Sequence, residues 1–179
     1  YVHGADSTNS RTVTVANMTG RMSILDRVRK EKKRLTHLQP ETGFRESYRI
    51  DGETLITVND YTSGRVFDDA ISYAFYPVDL HTKTGVRPKP LKPGKVPTIP
   101  LSALIPKGSR NIIVAGRCVS SDRLANSGLR VQASCMGMGQ AAGVAATLAA
   151  KSGTTPLEVP LPEIHAVLRE HGQIIPGRA

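Results

Sequence analysis

The segment from Asn111 to Lys151, NIIVAGRCVSSDRLANSGLRVQASCMGMGQAAGVAATLAAK, limits the possible folds more than any other part of this chain. It opens with a short β-branched run, Asn111 to Ala115, of the kind found in a fully buried parallel strand. Gly116 ends the run, and a polar loop is expected from there to Gly128. A long run of small residues, Val131 to Ala150, then reads as a buried helix. Gly137, Gly139 and Gly143 weaken helix propensity, so they make sense where another backbone or a ligand packs very closely. The implied unit is strand, glycine turn, loop and helix.

Such a unit has an intrinsic chemical bias. A buried strand ending in glycine lets a cofactor approach the backbone at its carboxyl end. The following helix start offers unpaired N–H groups and about half a positive charge. Arg117 and Arg130 bracket the loop and are placed to add charge-assisted contacts to an anion. The same spacing also fits a βα unit that packs tightly and binds nothing.

The remaining chain supplies flanking elements. Met18, Met22, Leu25, Val28, Leu35 and Leu38 recur at helical spacing among charged residues, which predicts an amphipathic helix over 17–38, with Pro40 just beyond it. Thr12 to Val15 alternates and reads as a short strand or a helix lead-in. Asp51-Gly52 between two β-prone runs, Phe44 to Val58, predicts a hairpin. A turn or short helix is expected over 61–69, a strand over 70–80, a proline-rich loop over 81–97 and a short bridging element over 99–106. A last helix is expected over 161–171, with His165 and His171 solvated.

Composition narrows the partners. Lys and Arg outnumber Asp and Glu by 24 to 15, giving a formal charge of +9 that favours anionic partners or a solvated basic face. The basic runs, Arg27 to Arg34 and Lys83 to Lys95, are not interleaved with aromatics, and no nucleic-acid motif accompanies them. A basic nucleic-acid-binding module therefore stands as the alternative from another class, and no nucleic-acid partner is expected. Cys118 and Cys135 lack metal-ligand spacing, the five His are scattered, and no metal is expected. No apolar run is long enough to span a bilayer. The chain opens Tyr1-Val2-His3-Gly4, which reads like the interior of a longer protein and leaves the compartment open.

The ordered motifs resemble a known family. Ile99-Pro100, Leu104 to Gly108, Asn111 to Arg117, Ser120-Ser121, Arg130-Val131 and Cys135 to Gly143 are similar to the C-terminal signature of FAD-dependent oxidoreductases. The likeness is to those related to the succinate dehydrogenase and fumarate reductase flavoproteins, with the glutathione-reductase-type fold. Gly43 to Gly52, Phe67 to Ile71, Tyr76 to His81 and His3 to Ser7 extend the resemblance upstream. It implies an α/β fold: the C-terminal part of a Rossmann-like FAD-binding domain with part of a β-rich substrate or cap domain. Residues 1–97 would end the cap and return to the FAD domain, 98–151 would give its last strand, loop and helix, and 152–179 a linker and terminal helix.

By the same resemblance the cofactor is FAD. Gly116, Arg117, Ser120, Arg130, Val131, Gln132, Ala133 and Ser134 would contact it, Gly116 and Arg117 by the pyrophosphate and ribityl chain, and the backbone of Arg130 to Ser134 on the flavin N1 and O2 side. Arg45, Arg49 and His81 would face a small-molecule substrate as catalytic candidates, an Arg holding a carboxylate and a His serving as general acid or base. The family's GxGxxG fingerprint is absent from this sequence. The resemblance thus implies a companion chain or N-terminal fragment that carries it, with a non-catalytic subunit of the same fold as the other reading.

Overall fold

A computed structural model describes residues 5–40, 43–45, 48–82, 85–86 and 88–177, and it divides into two compact units. One comprises Tyr1–Ser47 with Thr82–Gly85, and the other Tyr48–His81 with Val86–Ala179.

The first unit is built on helix α1, Ser10–Lys30. It begins seven residues before the expected start because Asn9 caps it, the side chain accepting from the N–H groups of Arg11 and Thr12. The Thr12–Val15 alternation is thus helical. The helix also stops well short of Leu38. Lys32 adopts a left-handed conformation (φ 49°), the Lys33 N–H bonds to the Val28 carbonyl at 2.9 Å and the Lys32 N–H to Arg29 at 3.2 Å. This pairing closes the last turn as a Schellman motif. Arg27, Arg29 and Lys30 in that turn complement the helix dipole. The described stretch 5–40 holds this helix and no strand.

The second unit contains the core. Helix α2 (Val58–Ser63) is followed by strands β1 (Ala70–Tyr73), β2 (His81–Thr82), β3 (Gly85–Val86) and β4 (Thr98–Pro100) and a 3-10 turn, Leu101–Leu104, with Thr82 of β2 and Gly85 of β3 counted in the first unit. Helices α3 (Arg123–Leu129), α4 (Gln132–Ser152) and α5 (Leu161–Glu170) complete it. The architecture is mixed α/β, as expected. Strand β1 pairs antiparallel with β4, with Ser72 opposite Ile99 and a bulge between Ala70 and Ser72, and β2 pairs with β3.

Helix α4 packs across β1, and α5 packs on α4. Ser134, Met138, Ala141, Ala145 and Ala149 form its buried stripe, and Ile164 and Leu168 of α5 join the same core. Gly137 has the close neighbour that its type called for, since a Cβ there would collide with Ser72 Oγ of β1. Gly139 and Gly143 have none within 4 Å. His165 is half-buried rather than solvated, its Nε2 2.8 Å from the Ala70 carbonyl, and Gln173 Nε2 donates to Ile71 at 2.7 Å. Both tie the chain's end onto β1. His171 is exposed.

Three expectations are corrected. The Asp51-Gly52 hairpin does not form. The segment runs alongside distant chain, with bridges Gly52 to Pro106 and Ile56 to Ser121, and Gly52 packs so closely on Ser120 that an added Cβ would lie 2.7 Å from the Ser120 Cβ. Residues 116–128 are not all loop, because Asp122 caps α3 within them. Asn111 to Ala115 is not a buried strand. It runs without helix or strand structure, one bond joins the Val114 N–H to the Leu104 carbonyl at 2.7 Å, Ile112 is 57% exposed, and no strand pairs with it among the described residues. A β-branched run reads as buried only where a partner strand covers it.

Candidate functional site

The candidate site lies where the 111–122 loop meets the start of α4. Gly116 adopts φ +100°, a conformation that side chains rarely tolerate, and a Cβ there would meet nothing within 4 Å. The turn thus opens to its surroundings. The loop is held from beneath by Asn126, which is buried and donates through Nδ2 to the Arg117 carbonyl and to Ser121 Oγ, both at 3.1 Å. Asp122 joins two helix starts. Its Oδ1 accepts from the Ala125 N–H at 2.8 Å to cap α3, and its Oδ2 accepts from the Val58 N–H at the start of α2. Neither Asn126 nor Asp122 was among the expected site residues. The Asp-x-x spacing before Leu124-Ala125 carries a capping signal that the polar-loop reading passed over.

Helix α4 starts at N-cap Val131 with no side-chain cap and no acidic residue in its first turn. Gln132 and Ala133 are exposed, so the helix presents its first N–H groups and the positive end of its dipole at an accessible end. Ser134 is buried on the inner face. The thiol of Cys135 in the same turn has a pKa raised by burial, while Arg117 pulls it down and Cys118 pushes it up. That coupling sets Arg117 and Cys118 of the loop beside the helix start. Burial disfavours the Cys135 thiolate, which fits a packing role.

Arg130 is half-buried between α3 and α4, and its Nη2 donates to the Asp79 carbonyl at 3.1 Å. His81 lies on the same segment as Asp79, with Nε2 3.1 Å from the Asp79 carboxylate. The structure therefore connects Arg130 with His81 through Asp79. Arg49 is half-buried next to Ile50, whose N–H donates to the Cys118 carbonyl at 2.9 Å, so the Arg49 segment runs beside the glycine loop. Ser120 is fully buried behind the loop against Gly52 and offers no surface. Arg45 is exposed and belongs to the other unit.

The arrangement suits an anion. An uncapped helix start, an open glycine turn and two arginines at its margins supply donors and positive charge with no carboxylate in the first turn. Among the described residues no cluster of His, Cys, Asp or Glu is arranged to hold a metal ion. No helix is long and apolar enough to cross a membrane, among the described residues.

Comparison with known proteins gives one family. The family model described as FAD dependent oxidoreductase matches residues 11–168. No curated protein and no solved structure matches the chain.

Proposed function

The chain belongs to the FAD dependent oxidoreductase family, and from that premise we propose that it supplies the flavin-facing C-terminal half of a bipartite FAD site in an enzyme that moves hydride between a small organic substrate and FAD. The observation that carries this reading is the uncapped start of α4 beside the open, left-handed Gly116. A dinucleotide needs such a start for its charged groups, and side chains in the turn would block its approach. When bound, FAD supplies a two-electron acceptor, and the residues here hold and orient it.

In this reading Gly116 and Arg117 attend the pyrophosphate and ribityl chain. The backbone of Arg130, Val131, Gln132, Ala133 and Ser134 faces the flavin N1 and O2 side, where the helix dipole favours the negative charge that develops on reduction. Ser120 supports the loop from behind. Arg49 and His81 face substrate, and Arg45 is a separate substrate-facing candidate that rests on the sequence motif alone. Residues 1–97 end a substrate or cap domain. The narrower kinship with succinate dehydrogenase and fumarate reductase flavoproteins rests on the sequence motifs.

The bipartite element has its own support. The run Ile112 to Ala115 has no strand partner among the described residues, and Ile112 is exposed. A parallel strand from a companion chain or N-terminal fragment bearing GxGxxG would pair with this run and cover the Ile112 side chain. The test is a visible spectrum of native material. Flavin absorption co-migrating with this chain and a larger companion is expected. A native preparation in which the chain runs colourless and alone would overturn the proposal.

A further inference from the structure

Asp79 makes three contacts through three different atoms. Its carboxylate Oδ2 lies 3.1 Å from His81 Nε2, with the two side chains 13% and 12% exposed. Its N–H donates to Ser127 Oγ at 3.0 Å, and that hydroxyl in turn donates to the Leu124 carbonyl at 2.6 Å within α3. Its carbonyl accepts from Arg130 Nη2 at 3.1 Å, immediately before the N-cap of α4. One residue thus links an imidazole, the α3 helix and the arginine at the start of α4.

The chemistry of the pair is directional. A carboxylate only accepts hydrogen bonds, so the neutral imidazole of His81 carries its proton on Nε2 and its lone pair on Nδ1. Nδ1 is shielded from solvent, so bulk water does not compete for it. Residues two apart in extended chain share a face, which is why Asp79 reaches His81 without a turn.

We propose that Asp79 is the positioning residue of this site: its side chain fixes the orientation and tautomer of His81, while its main chain separately fixes Arg130 and α3. The proposal rests on the flavin-site reading for its functional meaning, since His81 and Arg130 matter there as proton-handling and cofactor-holding groups. The division of labour between atoms makes it testable. Substitution of the side chain removes the His81 contact and keeps the carbonyl that holds Arg130.

The experiment uses the flavin-free 179-residue chain with labelled histidine, observed by proton–nitrogen NMR, with His81→Gln assigning the signal. The His81 Nε2–H is expected as a downfield proton protected from exchange. Asp79→Ala should speed its exchange about tenfold to a hundredfold, the equivalent of a hydrogen bond to a charged group. Asp79→Asn keeps an acceptor oxygen in place and should restore most of the protection. The backbone signals of Ser127 and Arg130 should stay in place in both variants. A protected His81 proton that survives in Asp79→Ala overturns the proposal. So does loss of protection in Asp79→Asn equal to that in Asp79→Ala, which would mark general disruption. Because the readout needs no flavin, it stands apart from the spectrum of native material: an Asp79-dependent His81 signal supports the positioning role whatever that spectrum shows, and only a colourless native preparation overturns the flavin reading.

Discussion

Helices α1 and α4 both span 21 residues, and they are stabilised in opposite ways. Helix α1 carries the larger apolar side chains, yet Val15, Met18, Met22, Ile24 and Leu25 are exposed and Ala16 is its one buried residue. Helix α4 is nearly half Ala and Gly, yet it buries six residues against β1 and α5. Burial follows the surface a helix meets more than the size of its side chains. Small residues let α4 approach a strand closely, and Gly137 lies so near Ser72 that a Cβ there would collide with its hydroxyl. Helix α1 depends on its ends: the Asn9 cap, the Schellman closure at Lys32 and the basic last turn.

The sharpest way to break this contrast is the same substitution on each helix. Met138 is 0% exposed and Met22 is 64% exposed. Met138→Ala should cost about 2–5 kcal/mol in denaturant unfolding. Met22→Ala should fall within about 0.5 kcal/mol. Hydrogen exchange resolved by helix assigns each loss to its own unit. A cost at Met22 close to that at Met138 would mean that the α1 face is covered in solution.

A second pair sharpens the account of α4 itself. Gly137→Ala pushes a methyl group into Ser72 and should cost about 1–3 kcal/mol. Gly143→Ala meets nothing within 4 Å and should gain about 0.5–1 kcal/mol through helix propensity. Opposite signs in the melting temperature are the expected result. If both destabilise, the glycines serve backbone geometry and not close packing.

These elements were not equally legible in the sequence. Helices α4 and α5 could be read because their periodicity is satisfied inside the chain, by β1 and by each other. The start of α1 was hidden because Ser, Thr and Asn serve turns and caps alike, and only the Asn9 bonds decide between them. The Asp51-Gly52 turn signal lost to non-local pairing, since Gly52 is needed for contact with Ser120. Of the expected site, Gly116, Arg117, Arg130 and the α4 start lie on one connected stretch and were legible from spacing. Asn126, Asp122 and Asp79 were not, because their work is hydrogen bonding to residues as far as 64 positions away. The strand expected at Asn111 to Ala115 depended on a neighbour that no spacing in this chain reveals.

The helix ends extend the comparison at a smaller scale. Helix α4 ends on Gly153 at φ +68°, whereas α1 closes on Lys32 at φ 49°. Left-handed backbone costs a non-glycine residue about 1–2 kcal/mol. Gly153→Ala should therefore destabilise by about that much, and Lys32→Gly should stabilise the α1 unit by about 1 kcal/mol. Thermal unfolding followed by circular dichroism checks both signs.

The helix starts give the smallest change in stability and the closest link to function. Asn9 satisfies the first N–H groups of α1, and Asn9→Ala should cost about 1 kcal/mol. Val131 leaves the same groups of α4 unsatisfied by any side chain. Val131→Asp should supply a cap and stabilise the isolated chain by up to about 1 kcal/mol. If α4 starts uncapped because an anion belongs there, the new carboxylate competes with it, and flavin in native material should fall as stability rises. A gain in stability with flavin content unchanged would separate the helix start from the cofactor and leave the open Gly116 turn to carry that role alone.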